Sequence, residues 1–175
     1  MEKRPSLHKF QESLAARLRE AAGEPVSTSR LGLQSGARNW MLKLEDAGEI
    51  VPVPDLTPVP LTKPWFLGLA NVRGVLVSVV DLSRFVGGPA TLRTPEARIV
   101  LAADRYQARA GILVDRMLGL RVIEHMKPVE AGAADASTRP SWSGADLQDG
   151  DGRHWTELEM QRLVSNDEFL QAGAS

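Results

Sequence analysis

The sequence predicts a mainly β protein of small-barrel architecture with one or two helices. Three observations predict it. Short stretches of period-two alternation recur at intervals of about ten residues, Gly- and Pro-rich turns separate them, and the regular strand–helix alternation of a parallel α/β sheet is missing. The 175 residues suffice for one domain or an intimate pair of small lobes. With 43% hydrophobic and 25% charged residues, the composition is that of a chain that folds.

The first element expected is an amphipathic helix over residues 6–22. Leu7, Phe10, Leu14 and Leu18 recur at helical spacing, Ser6 is placed as N-cap, and Gly23 is placed to end it. Such a stripe docks either on the protein's own body or in a partner's groove. Residues 23–37, rich in Gly and Ser, read as a linker. From Arg38 the period becomes two, with Trp40, Leu42 and Leu44 alternating with Met41, Lys43 and Glu45, and Asp46–Gly48 reads as a turn. Pro52, Pro54, Pro58, Pro60 and Pro64 follow closely. A residue that cannot donate to a ladder confines this stretch to an edge strand or a loop.

Val75–Leu82 is the strongest strand, apolar on both faces and so covered at least partly on both. After Gly87-Gly88-Pro89, residues 98–103 and 106–114 read as a strand pair with a tight turn near Asp104-Arg105. Leu118–Ile123 is a further strand, and residues 131–152 read as a long polar loop. Trp155–Leu170 begins like a strand and continues as a short helix, interrupted at Asn166-Asp167. The expected organisation is residues 1–37 as helix and linker, 38–170 as the folded domain, and 171–175 as a tail.

Several function classes are disfavoured. A formal net charge of −1 lacks the basic face that a nucleic-acid binder uses to neutralise phosphates. The absence of cysteine excludes disulfides and thiolate metal sites. The basic N-terminus has no apolar segment behind it, and no apolar run approaches the roughly 20 residues of a spanning helix, so a cytoplasmic protein is expected. His8, His125 and His154 lack paired ligand spacing and read as surface residues. Asp146, Asp149 and Asp151 do not follow an EF-hand pattern, because Met160 stands where the closing glutamate belongs. No Walker loop, dinucleotide fingerprint or nucleophile elbow is present, and no histidine is assigned to a serine such as Ser78. No catalytic residue, cofactor or metal is expected.

The informative segment is Leu67–Leu82, LGLANVRGVLVSVVDL. Gly68, then Asn71-x-Arg73-Gly74, then an apolar strand closing on Asp81-Leu82, resemble the signature of CheW-like chemotaxis adaptor domains. Val59-Pro60 ahead of it, and Gly111 through Asp115 and Leu118-Gly119-Leu120 behind it, are similar to further family features in the same order, over about residues 38–170. The family usually has proline five residues after the motif arginine. Ser78 stands there instead, which resembles the PilI-type branch of type IV pilus chemosensory systems.

The resemblance implies two SH3-like five-stranded β-barrel lobes with a groove between them, to which the periodicity adds an N-terminal amphipathic helix and a short C-terminal helix. It also implies a non-enzymatic adaptor between a methyl-accepting chemoreceptor's cytoplasmic tip and the regulatory domain of a CheA-like histidine kinase. Pilus-driven twitching is the expected output, no nucleic acid is involved, and the membrane is met only indirectly through receptor arrays. A flagellar-type adaptor, a small-ligand-binding β-barrel module and a fragment of a kinase regulatory domain are the alternatives.

The residues read physically as follows. Asn71 suits a turn, and Gly74 a conformation that a Cβ would strain or a close approach by another chain. Arg73 projects from that turn toward a partner's carboxylate or helix-end carbonyl, or else is solvated or pairs internally with Asp81 or Asp115. Asp81 and Asp115 suit caps of neighbouring turns. Trp65 and Phe66, beside prolines, anchor an interface or pack on the adjacent barrel. The expected contact set is Arg73, Asn71, Gly74, Trp65, Phe66 and Leu69. Gly68, Ser78, Asp81, Leu82, Gly111 and Asp115 form its frame, and the edge near Val51–Leu61 offers a second surface.

Overall fold

Alternation along the chain resolves into twelve strands among the residues that the computed structural model describes, 28–129 and 139–173. The helix expected over 6–22, with Ser6 and His8, lies outside them. In chain order the strands are β1 (Ser29–Ser35), β2 (Arg38–Lys43), β3 (Ala47–Pro52), β4 (Leu56–Thr57), β5 (Phe66–Val72) and β6 (Val75–Asp81). There follow β7 (Arg98–Ala102), β8 (Ala110–Val114), β9 (Arg116–Val122), β10 (Lys127–Pro128), β11 (Ser143–Gln148) and β12 (His154–Leu158). Short helices are α1 (Leu82–Phe85), α2 (Met160–Val164) and α3 (Asp167–Leu170).

The strands form two six-stranded sheets. The first has the order β10-β11-β12-β2-β1-β9 and the second β3-β7-β8-β6-β5-β4. Each expected five-stranded lobe therefore carries a sixth, two-residue strand at one edge, β10 or β4. The second sheet is continuous in sequence and is inserted between β2 and β9 of the first. One parallel pair in each sheet, β12–β2 and β6–β8, joins segments distant in sequence.

The main core lies between the sheets. Leu33, Trp40, Leu42 and Leu158 of the first sheet meet Val80, Val100, Ile112 and Val114 of the second. An aromatic column crosses the junction: Trp65 meets Phe85 edge-on at 4.9 Å, Phe85 lies 5.8 Å from Trp142, and Trp142 stacks on Trp40 at 5.4 Å. Burying each large side chain contributes about 1.5–3 kcal/mol relative to leaving it in water. A smaller cluster fills each sheet's other face. Met41, Leu147 and Trp155 fill the first, and Ala70, Val77, Val79, Ile99 and Leu113 the second. Trp40, Met41 and Leu42 are consequently all buried, because β2 runs between two cores rather than along a half-wet surface.

Several expectations are corrected in detail. Residues 29–35, expected in a linker, form β1 and pair with both β2 and β9. Residues 143–148, expected in a loop, form β11, with Leu147 supplying its buried contact. The connection between β7 and β8 is wider than a tight turn and contains a 3-10 turn, Asp104–Tyr106. At the C-terminus Asn166 divides two short helices, its side chain accepting the Phe169 N–H at 3.2 Å. The proline-rich stretch behaves as expected, since β3 and β4 are the two edges of the second sheet.

Candidate functional site: the β5–β6 hairpin

The motif segment forms a hairpin in which Val72 pairs with Val75 across a two-residue turn, Arg73-Gly74. Both turn residues have positive φ, 51° and 84°, as the tightest right-twisted hairpins require. Asn71 explains how an arginine is held there: its Oδ1 accepts the Gly74 N–H at 2.8 Å. A Cβ on Gly74 would meet nothing within 4 Å, so this glycine serves backbone conformation and not close approach.

Arg73 is exposed but has a partner. Its Nη2 lies 2.7 Å from Glu49 Oε1 on β3, so its internal partner is Glu49 and not Asp81 or Asp115, the two internal alternatives that the sequence offers. The second sheet curls enough for its β3 edge to reach the hairpin tip. Its start is pinned by Asp46, a buried carboxylate that accepts the Tyr106 hydroxyl at 2.6 Å and pairs with Arg105. Burial, then the Asp46 hydrogen bond, pushes the Tyr106 phenol above its ordinary pKa. The sequence carries no signal for Glu49 as the arginine's partner, because curvature between sheet edges leaves no local pattern.

The hairpin divides by burial. Val77, Val79 and Val80 are core, whereas Val75 is 45% and Leu76 55% exposed, so the strand's first two residues leave the core expected for them. Asn71 opposes Leu76 and Leu69 opposes Ser78, so these four side chains share one face of the hairpin. Leu69 is half-buried. Trp65 is not a surface anchor, because it is 6% exposed and packs on Phe85, with Lys63 across its ring. Phe66 is half-buried against the same core.

The frame residues hold this geometry. Gly68 has φ +119°, and a Cβ there would collide with the Thr57 carbonyl of β4 and lie 2.9 Å from Pro58 Cα. Ser78 donates both its N–H and its hydroxyl to the Arg109 carbonyl, at 2.8 and 3.1 Å; proline would offer no N–H there. Asp81 is 1% exposed, caps α1 through the Arg84 N–H, and binds the Thr91 N–H and hydroxyl at 2.9 and 2.8 Å. Leu82 is fully buried beside it. Asp115 accepts the Gly36 N–H at 2.6 Å, tying the end of β8 to the β1–β2 turn. At Gly111 the space of a Cβ is taken by Ile99 and Leu101 of β7.

Among the described residues no group of three or more His, Asp or Glu is placed to hold a metal, and no helix is long and apolar enough to cross a membrane. A cleft of about 600 Å³ lies on the first sheet, away from the hairpin residues, and is lined by Arg38, Trp40, Arg153 and His154 among others.

Comparison with known proteins places these features. The CheW-like domain model matches residues 30–168. The chain is 32% identical over 125 residues to protein PilI of Pseudomonas aeruginosa, covering 65% of this chain and 70% of that protein. It is 26% identical over 116 residues to chemotaxis protein CheW of Thermotoga maritima, covering 66% and 73%. The crystal structure of the scaffolding protein TtCheW from Thermoanaerobacter tengcongensis superposes with a TM-score of 0.62 at 18% identity, over 75% of this chain and 88% of that one.

Proposed function

The chain belongs to the CheW-like domain family, and on that premise we propose that it is a non-enzymatic, cytoplasmic adaptor of a chemotaxis-type signalling system. It bridges a methyl-accepting chemoreceptor's cytoplasmic tip and the regulatory domain of a CheA-like histidine kinase. The similarity to PilI favours a type IV pilus system that controls twitching.

One observation carries the reading to the residue level. The motif forms an exposed hairpin tip whose arginine has a fork of donors on the surface while its strands run into the core. Arg73, Asn71 and Gly74, with Leu69 and the exposed Leu76, form the contact face. Phe66 lies at its base, and Trp65 supports it from within. An adaptor interface of this kind is small, below about 1,200 Å², and reversible. Many copies in an array add strength through effective concentration.

The test is capture of the receptor tip and the kinase regulatory domain by the full chain. Arg73→Glu is expected to weaken capture of at least one about thirtyfold, as loss of a central anchor of about 2 kcal/mol does, with an unchanged circular dichroism spectrum. If the wild-type chain captures neither, the adaptor reading falls. Equal capture by wild type and variant removes Arg73 from the site. The double variant Glu49→Arg/Arg73→Glu separates two roles, since it restores the internal ion pair with reversed polarity. Binding that stays lost assigns Arg73 to the partner, and binding that returns assigns it to holding β3.

A further inference from the structure

We propose, resting on the adaptor reading, that Leu61 is the apolar anchor of the contact that Arg73 begins: one partner element meets Arg73 with a carboxylate and Leu61 with an apolar pocket. Three described residues other than glycine have positive φ, Leu61 (57°), Arg73 (51°) and Gln107 (53°). For a bulky side chain that conformation is an outlier that needs a reason. Two of the three have a local one. Gln107 closes the 3-10 turn Asp104–Tyr106, where a left-handed residue is common. Arg73 sits in the two-residue hairpin turn that requires it. Leu61 closes no helix, lies in no such hairpin turn, and has no polar group to bond its own backbone.

Its neighbours hold it there nonetheless. The Thr62 hydroxyl donates to the Val59 carbonyl at 2.8 Å, the Lys63 N–H donates to the Ala172 carbonyl at 2.8 Å, and Thr62 bridges Gly173. What they hold is the most exposed large apolar side chain among the described residues, at 85%. Burial does not account for the strain, because Leu61 belongs to none of the core clusters. Strain kept where packing gains nothing points to a side chain presented to a partner.

Position identifies that partner with the one at the hairpin. Thr57 of β4 pairs with Leu69 of the contact face on β5. Arg73 is four residues beyond Leu69, and Leu61 is four residues beyond Thr57 toward the opposite end of the ladder. Eight extended residues span at most about 29 Å, the length of a helix of about 19 residues, so one partner element reaches both. Every residue from Thr57 to Leu61 is exposed. Pro58 and Pro60 lack the N–H that strand addition needs, so contact along this edge is made by side chains. A buried leucine knob at one end and a charged fork at the other fix the register of what binds.

The experiment uses the full chain with the receptor tip and the kinase regulatory domain, and couples capture to thermal unfolding. Leu61→Asn places a residue that tolerates positive φ at the same backbone. It is expected to raise the melting temperature by about 2–4 °C, and to weaken about tenfold the capture that Arg73→Glu weakens. Leu61→Ala retains a Cβ and with it the strain, so it should melt as wild type while its capture falls equally. A leucine with only a structural role would not let stability and binding move in opposite directions.

If the wild-type chain captures neither partner, the adaptor reading falls and this proposal with it. If Arg73→Glu weakens capture and both Leu61 variants capture as wild type, this proposal alone is overturned. Two further results would overturn it with capture unchanged. A lowered melting temperature in Leu61→Ala would assign the side chain to a contact within the chain. Wild-type dimers lost in Leu61→Ala on sedimentation would assign it to a second copy.

Discussion

Two glycines of the motif answer different demands, and their substitution separates the demands. Gly74 sits at φ +84° in open space, so Gly74→Ala costs only the backbone strain of the left-handed region, about 1–2 kcal/mol. Gly68 at φ +119° also abuts the Thr57 carbonyl, so Gly68→Ala must displace β4 and is expected to cost about 3 kcal/mol or more. Urea denaturation measures both, and equal losses would refute the assigned contact. Asp149 allows a pH prediction. Burial pushes its carboxyl up, but the Trp155 indole N–H and the Arg153 and Asp151 backbone N–H groups outweigh this and hold it below its ordinary pKa. A depressed folded pKa means that the contribution is present above about pH 4 and lost as pH falls through the folded value. The Trp155 indole resonance is expected to move in that acidic window and stay constant above it. A transition centred above about pH 5 would contradict the sign.

At the scale of elements, the sequence was most legible where residue type restricts hydrogen bonding. The prolines marked β3 and β4 as edges because they cannot donate to an inner ladder, and the apolar run 75–82 marked an inner strand. It was least legible where short side chains stand in for a buried face. Leu31 and Leu33 alternate correctly in β1, but Gly32 and the flanking serines resemble a linker. Gly32 is needed because a Cβ there would lie 3.0 Å from the Trp155 ring. In β11 only Leu147 is apolar and buried, while Asp146 earns its place through Thr156 and Arg139. The hairpin turn was readable from Asn-x-Arg-Gly, yet Glu49 was not, and for Trp65 the sequence left packing and surface anchoring equally open, since both depend on how the second sheet curls and packs. A truncation tests the reassignment of β1. Removing residues 1–28 leaves every described strand pairing intact, whereas removing 1–36 strips partners from both β2 and β9 and takes away the fully buried Leu33. The shorter deletion is expected to retain its β spectrum and the longer to be insoluble or unfolded. A folded 37–175 chain would show that β1 is dispensable.

At the scale of the molecule, insertion of one sheet within the sequence of the other raises the question of whether they are two folding units. The packing says one. The largest cluster draws on both sheets, and Phe85, from the short helix after β6, touches Trp65, Trp142 and Phe169 at ring distances of 4.9, 5.8 and 5.6 Å. Trp142 and Phe169 lie on the chain beyond β10, so this one side chain joins the inserted sheet to the segments around the first. Phe85→Ala should leave a cavity and cost about 3–5 kcal/mol. If the sheets unfold together, that loss appears equally in the hydrogen-exchange stability of β8 in the second sheet and of β2 in the first. If they are separable, β8 weakens while β2 keeps its protection. The joint outcome would hold the β5–β6 hairpin in a fixed frame relative to the first sheet, because the two sheets would then share one rigid core.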